Sequence, residues 1–267
     1  MLISFLLAFA IITANQGSAV ELTLPNEPGI KSVEVDWQKH KVPFVRVDNR
    51  WVTVVGVDLD VKPGEYKTPI LVTMEDGRID KREAAINVTS TPYPTTKLTV
   101  EEKYVQLNPR DLARATRETK ELNAIHATIT KEILWEEPFA VPIPGRTGAN
   151  FGHRRVFNGE PRAPHAGADL HATTGTPIHS TNRGRVVLAK NLFFTGNTVI
   201  VDHGLGIYSL YAHLSRIDVK PGMMIKNGQL VGLAGATGRV TGPHLHWGTR
   251  VQGARVDPFS LVEMNDK

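Results

Sequence analysis

Cysteine is absent from the 267-residue chain. This excludes disulfides, thiol catalysis, cysteine-ligated zinc and attachment of a lipid to a cysteine. Dense lysine and arginine blocks with interleaved aromatic residues are also missing, so we expect no nucleic-acid partner. The apolar fraction is 41% and the charged fraction 22%, as in ordinary soluble globular proteins. Extended disorder is therefore excluded, and the length suits one large domain or two ordinary ones.

Charge is unevenly distributed along the chain. Residues 139–267 carry 14 Lys and Arg against 7 Asp and Glu, which gives +7, whereas the whole chain is only +4. A basic half favours an anionic partner, such as an acidic cell-wall polymer.

One long apolar run is present, and it lies at the N-terminus. The segment "MLISFLLAFAIITANQGSA" has the length and the small-residue ending of a secretory signal peptide, and it is short for a transmembrane helix. We predict a signal peptide over residues 1–19, cleaved before Val20, and no membrane insertion afterwards. The segment has no lysine or arginine before the apolar run, so an uncleaved anchor or a wrongly assigned start stays open. Export to the periplasm is expected, with secretion to the exterior as the alternative.

The region 20–95 contains short β-branched runs, such as "VEVDW" and "WVTVVGVDLDV", separated by turn sequences such as "KPGEY". It predicts a β-sandwich. Residues 96–138 are expected to form a helical linker. Within it Asn108 is a good N-cap and Pro109 suits the first helical turn, so a helix should run from Pro109 to about Lys131.

Residues 139–267 return to a strand pattern with glycines at the breaks, as in "RVVLAK", "NTVIVDHG" and "HLHWGTRV". This half predicts an antiparallel β domain with long loops. The fold class is therefore mainly β: an N-terminal β-sandwich of immunoglobulin-like type, a connecting α-helix and a C-terminal antiparallel β domain.

Eight of the ten histidines fall between residues 153 and 246. Among them, His244 and His246 are separated by one residue, so both side chains face the same side if "HLHWGTRV" is a strand. Trp247 then faces the opposite side and should pack in the core. Such a pair suits a shared ligand, and it also suits two surface histidines without function.

In "PHAGADL", His165 and Asp169 are four residues apart. The neighbouring proline and glycines argue against a helix, whereas a loop that bends at Gly167 into a strand could bring both side chains to one point. With one imidazole of the His-x-His pair they form a ligand set of two histidines and one carboxylate, typical of a catalytic zinc site with a position left for water. His213 lies in the apolar run "LYAHLS" and could equally be a hydrogen-bonded core residue.

These segments together resemble peptidase family M23, the zinc metalloendopeptidases of lysostaphin and LytM type. The resemblance rests on "FGHRR", "PHAGADL", "YSLYAHLS" and "GPHLHW", which occur in that order, and it covers residues 139–262. It implies that residues 139–267 form the LytM-type catalytic domain.

Residue by residue, the resemblance implies that His165, Asp169 and His246 bind one zinc ion per chain. It implies that His213 and His244 are catalytic, with His244 taking a proton from the zinc-bound water and His213 holding the water or the oxyanion. Arg154 matches an arginine near the cleft, where substrate binding and bracing of the loop are both open.

The expected function is a monomeric zinc endopeptidase that hydrolyses peptide cross-links of bacterial peptidoglycan. Zinc-activated water would attack the scissile carbonyl with two histidines assisting, and a D-alanyl–meso-diaminopimelate bond fits a short exported chain. Three alternatives remain: a latent or non-enzymatic regulator of other wall hydrolases, a β-barrel-like glycan-binding module, and an endopeptidase for glycine-rich bridges or proteins.

Overall fold

The structure is a computed structural model that describes residues 11–99, 107–136, 138–145 and 150–264. Most of the predicted signal peptide's apolar run lies in residues 1–10, outside the described residues. Within the described ranges, no helix is long and apolar enough to cross a membrane. The chain is mainly β, as predicted.

The N-terminal half forms eight strands that follow one another in short turns. They are β1 (Ile12–Asn15), β2 (Ala19–Pro25), β3 (Ile30–Trp37), β4 (His40–Pro43), β5 (Val45–Val47), β6 (Arg50–Gly56), β7 (Gly64–Met74) and β8 (Ile79–Thr89). Five strands form one sheet in the order β1-β8-β7-β3-β4, and three form a second in the order β2-β6-β5. Both sheets contribute to a single hydrophobic core, because alternate residues of each strand face inward. The immunoglobulin-like topology stays a prediction.

Strand β1 lies inside the segment that was predicted to be removed as a signal peptide. It pairs in parallel with β8, from Ile12 opposite Ile86 to Asn15 opposite Thr89. The following turn is also tied to the fold, since the N–H of Gly17 donates to the carbonyl of Val57 at 3.0 Å. Cleavage before Val20 would therefore remove an edge strand of the N-terminal domain.

Beyond β8 the chain forms β9 (Thr95–Leu98) and helix α1 (Pro109–His126). The helix begins as predicted, with the Asn108 side chain accepting from the backbone N–H of Asp111. Its predicted end at Lys131 is wrong, because the helix stops at His126. The next residues extend along a sheet of the C-terminal half instead, with the N–H of Leu205 donating to the carbonyl of Thr130 and that of Leu134 to the carbonyl of His203.

The C-terminal half holds the remaining strands and one short helix. They are β10 (Arg154–Phe157), β11 (Glu160–Pro161), β12 (Gly167–His171), β13 (Pro177–His179), β14 (Gly184–Leu192), β15 (Gly196–Gly204), β16 (Ile207–Leu214), β17 (Arg216–Ile217), β18 (Met224–Ile225), β19 (Leu230–Leu233), β20 (His244–Val251), β21 (Ala254–Val256) and α2 (Pro258–Glu263). The main sheet runs in the order β12-β20-β16-β15-β14-β18, with β21 beside β20. Every pairing in this sheet is antiparallel.

The main sheet is buried on both faces. A core that includes Leu170, Tyr211 and Trp247 covers one face. On the other, Leu122 and Ile125 of α1 pack against Leu188, Leu192, Ile200 and Tyr208. Trp247 is 1% exposed, which confirms that it packs in the core.

The two halves of the molecule are joined by buried contacts. Val54 of β6 shares a core cluster with residues such as Phe139 and Val251. Arg255 forms a paired ion contact with Asp58, with its Nη2 2.6 Å from Oδ1 and its Nε 2.9 Å from Oδ2. Paired hydrogen bonds between an arginine and a carboxylate are stronger than those between neutral groups, so this contact holds the N-terminal half against the main sheet.

Candidate metal centre

Strands β12, β20 and β16 place Asp169, His246 and Ala212 opposite one another across the main sheet. Gly167 lets these strands approach closely, because a Cβ there would lie 2.5 Å from the carbonyl oxygen of Trp247. The region is a loop leading into a strand, as predicted, and Gly167 begins the strand. Asp169 and His246 are thus brought together by strand pairing although they lie far apart in the sequence.

Three side chains in this part of the sheet offer ligand atoms that lie close together. The Oδ1 atom of Asp169 is 3.1 Å from Nε2 of His165 and 3.0 Å from Nδ1 of His246. All three ligand atoms lie within 4.8 Å of one another, and this is the one such group among the residues that the structure describes. Ligands of a tetrahedral zinc ion lie about 3.4 Å apart, so the spacing suits one metal ion.

The ring of His165 is oriented by the backbone. Its Nδ1 lies 3.0 Å from the carbonyl oxygen of Asn150. A carbonyl can only accept, so Nδ1 carries the proton and the Nε2 lone pair is free to bind a metal ion.

Asn150 also holds Asp169, and sequence reasoning missed this residue. Its Nδ2 donates to Asp169 Oδ2 at 2.9 Å, and its Oδ1 accepts from the backbone N–H of Asp169 at 3.2 Å. Asn150 has φ 80°, which asparagine tolerates better than most residues. The one local signal was the "GAN" that precedes "FGHRR", and it does not point to a distant carboxylate.

The electrostatics of Asp169 and His246 favour the forms that bind a metal ion. Burial would raise the pKa of Asp169, but hydrogen bonds and charge from His165 and His246 lower it well below its usual range. Burial lowers the pKa of His246, although the bond to Asp169 opposes the shift. A carboxylate and a neutral imidazole are the forms that bind metal ions.

His213 and His244 lie beside this group. Their ring centroids are 4.8 Å apart, and that of His213 is 6.0 Å from that of His246. Backbone carbonyls hold Nδ1 of both rings, that of Thr237 for His213 and that of Gly242 for His244, each at 2.9 Å. In the neutral rings Nε2 is therefore the unprotonated nitrogen, and that of His244 is 3.7 Å from Asp169 Oδ1.

The backbone of His213 is strained, with φ 63° in the left-handed region. Burial lowers the pKa of His213 to about 4, and the hydrogen bond to Thr237 opposes the shift. Strained, non-glycine residues of this kind cluster at functional sites, where the surrounding structure holds them in place. His213 is thus a neutral imidazole in a held orientation.

Arg154 is the first residue of β10 and contacts the N-terminal half. Its Nη2 is 2.7 Å from Oδ1 of Asp60, and its backbone N–H donates to the carbonyl of Pro94. Of the two roles left open for Arg154, the contacts match bracing of the loop, and substrate binding stays a prediction.

The donor set fits the zinc ion that the sequence implies. Two imidazoles and one carboxylate converge, His165 has its second nitrogen bonded to a carbonyl, and Asp169 has its second oxygen bonded to an amide. Such outer contacts are what orient metal ligands in proteins. The fold and the site together define a mainly β protein with a group of two histidines and one aspartate that could hold a metal ion.

Known proteins are similar to this chain. Residues 163–258 match the sequence model of peptidase family M23. The peptidoglycan DD-endopeptidase ShyA of Vibrio cholerae is 43% identical over 113 residues, which are 42% of this chain and 26% of that protein. The DD-carboxypeptidase/endopeptidase Mpg of Neisseria meningitidis is 38% identical over 98 residues, 37% of this chain and 23% of Mpg.

A solved structure matches nearly the whole chain. It is a Pseudomonas aeruginosa protein assigned to peptidase M23, with a TM-score of 0.67 and 31% identity, covering 92% of this chain and 94% of that one. This chain belongs to peptidase family M23. The matches to ShyA and Mpg span about a quarter of those proteins.

Proposed function

We propose that this protein is a zinc metalloendopeptidase that hydrolyses peptide cross-links of bacterial peptidoglycan. The observation that carries the proposal is the convergence of five side chains on one face of the sheet: His165, Asp169, His213, His244 and His246. Two relatives from Vibrio cholerae, ShyA and ShyB, are named peptidoglycan DD-endopeptidases, which agrees with this substrate.

His165, Asp169 and His246 would hold the zinc ion. When bound, zinc supplies a Lewis acid that polarises a carbonyl and lowers the pKa of water. His244 would accept the proton of the attacking water at Nε2, because its Nδ1 is held by the carbonyl of Gly242. His213 would hold the attacking water, since its Nδ1 donates to the carbonyl of Thr237 and its unprotonated Nε2 can accept a hydrogen bond from that water.

The bond that we propose is the D-alanyl–meso-diaminopimelate cross-link. The net charge of +7 over residues 139–267 favours association with an anionic wall. One alternative is an endopeptidase that hydrolyses glycine-rich bridges by the same zinc-dependent reaction. The other is a regulator that binds wall polymer through the same fold and does not cleave it.

Purified protein should be incubated with isolated peptidoglycan, and the released muropeptides identified by mass. We expect cross-linked dimers to decrease and monomers to increase, with a chelator abolishing the change and zinc restoring it. Asp169→Asn is the matched inactive control, because it keeps the shape and removes the charge of one ligand. Binding without cleavage by folded, zinc-loaded protein would instead support the regulator.

We also propose export to the periplasm, with residues 1–19 as the export signal. Cleavage before Val20 removes β1, whereas an uncleaved segment or an earlier start leaves β1 paired with β8. The intact mass of protein from the periplasmic fraction distinguishes an N-terminus at Val20 from an earlier one, and recovery of the protein in the cytoplasm alone would contradict export.

A further inference from the structure

Two phenylalanines form the tip of the hairpin that joins β14 and β15. Leu192 pairs with Gly196, so residues 193–195 form the turn between them. Phe194 is 46% exposed and is one of the few large apolar side chains that remain exposed among the described residues. The proposed chemistry at the metal centre does not use this tip.

Arg239 lies over both rings of the tip. Its guanidinium carbon is 5.9 Å from the ring centroid of Phe193 and 6.0 Å from that of Phe194. The backbone N–H of Arg239 donates to the carbonyl of Phe194 at 2.9 Å, so main chain and side chain both attach to the tip. The cation–π attraction holds the exposed Arg239 guanidinium over the two phenylalanine rings.

The hairpin tip and the segment that contains Arg239 both hydrogen-bond to His213. The backbone N–H of His213 donates to the carbonyl of Thr195 at 2.8 Å, and its ring donates to the carbonyl of Thr237 at 2.9 Å. Arg239 follows Thr237 by two residues and precedes His244 by five. Arg239 and Phe194, which we call the rim, are therefore attached to the segments that hold His213 and lead into His244, the two histidines outside the ligand group.

Helix α1 fixes the tip from the other side. Glu118 Oε2 accepts from the backbone N–H of Phe193 at 2.7 Å, and the Arg114 guanidinium carbon lies 5.9 Å from the Phe193 ring centroid. Burial would raise the pKa of Glu118, but the bonds from Phe193 and Arg114 lower it, so it stays ionised. A rim that is anchored in this way is organised before the substrate binds.

We propose that Arg239, oriented by Phe194, is a substrate-binding site for a carboxylate of an acidic peptide. This inference rests on the proposed function, because it assigns a contact to the peptide that the metal centre would cleave. The planar guanidinium matches a carboxylate with two parallel hydrogen bonds, which is more specific than the point charge of a lysine. Exposed ring surface at Phe194 provides a platform for the adjoining apolar part of the peptide.

The test compares two substrates and three proteins. A defined cross-linked muropeptide dimer is used with free carboxylates and after conversion of those carboxylates to amides. The proteins are the wild type, Arg239→Gln and a control, Arg185→Gln. Arg185 is an exposed residue of β14, the strand that leads into the hairpin tip. It lies about 23 Å along that strand from Leu192, so its substitution removes an equal charge far from Arg239.

We expect the wild type to cleave the acid substrate at least about tenfold more efficiently than the amide, since a hydrogen bond between two charged groups is strong. Arg239→Gln should lose that preference through a higher KM for the acid, with kcat and zinc content nearly unchanged. Arg185→Gln should keep the preference. Phe194→Ala should reduce it, because the guanidinium is no longer held.

The outcomes separate the two proposals. Chelator-sensitive cleavage with the same acid preference in the wild type and Arg239→Gln overturns the carboxylate site and leaves the endopeptidase standing. Absence of any preference in the wild type does the same. Absence of cleavage of either substrate by zinc-loaded wild type overturns the endopeptidase and, with it, the site.

Discussion

The side-chain amide of Asn150 donates a 2.9 Å hydrogen bond to Asp169 Oδ2, whereas the imidazoles of His165 and His246 lie against Oδ1 of the same carboxylate. The carboxylate is therefore held from two sides. The carbonyl of Asn150 also orients His165, so this one residue supports two of the three proposed ligands.

Removal of the Asn150 side chain should weaken zinc binding. Asn150→Gly is the informative change, because glycine adopts φ 80° without strain and the backbone carbonyl to His165 can be kept. Loss of such an outer contact typically costs about 10–100-fold in metal affinity. Competition with a chromogenic chelator measures the affinity, and a value equal to that of the wild type would show that the amide contributes nothing.

Replacement of a proposed ligand should remove zinc and activity together. We expect His165→Ala, Asp169→Asn and His246→Ala to bind far less than one zinc ion per chain by elemental analysis. His40→Ala, in the N-terminal half, is the control and should keep full zinc. A ligand variant with full zinc content would remove that residue from the proposed set.

Replacement of His213 or His244 should separate metal binding from turnover. His213→Gln and His244→Gln should keep zinc, because neither ring belongs to the ligand group. Loss of a positioned acid or base lowers kcat by about 10²–10⁴-fold. Kinetics with a defined cross-linked peptide test this, and near-normal kcat with zinc bound would refute the assigned role.

Gln252 joins the two halves of the molecule and should matter for stability. Its side chain is buried, donates to the carbonyls of Val54 and Leu205, and accepts from the N–H of Gly56. Gln252→Leu leaves these backbone groups unpaired, and each buried unpaired group costs about 1–3 kcal/mol. Urea unfolding measures the loss.

The matched control for that variant is Gln38→Leu. Gln38 is an exposed glutamine that also has positive φ, 49° against 46° for Gln252. Both variants therefore place a leucine at positive φ and carry the same backbone strain. An equal loss of stability in the two would assign the effect to strain and not to the hydrogen bonds.

His203 should make the protein sensitive to acid. Burial lowers its pKa to about 4, although the bond to the carbonyl of Arg183 opposes the shift. In the unfolded chain its pKa is about 6.5. Between these values the unfolded state binds more protons, so the free energy of unfolding falls as pH falls, by up to about 1.4 kcal/mol per pH unit.

A His203→Gln variant removes this titration, since glutamine is neutral throughout. We expect its stability to depend less on pH between 6.5 and 4 than that of the wild type, whatever its stability at pH 7. Unfolding by urea at a series of pH values provides both slopes. Identical slopes would mean that His203 does not carry the acid sensitivity.

Short-range patterns were sufficient to predict much of the site. Strand alternation put His244 and His246 on one face and Trp247 on the other, because side-chain direction in a strand depends only on position. The helix start at Pro109 followed from Asn108 in the same way. The resemblance to a known family then assigned roles to five residues that the structure brings together, although those roles stay predictions.

Other features depended on contacts between distant residues. The helix ends at His126 because the following backbone hydrogen-bonds to the sheet, β1 exists because β8 is beside it, and Arg154 faces Asp60. By itself the sequence determined which residues alternate along a strand and which cap the helix, since these depend on near neighbours. Only the tertiary structure decided that Asn150 holds Asp169 and that Arg239 lies over Phe194, because such pairs form between loops whose approach no local preference specifies.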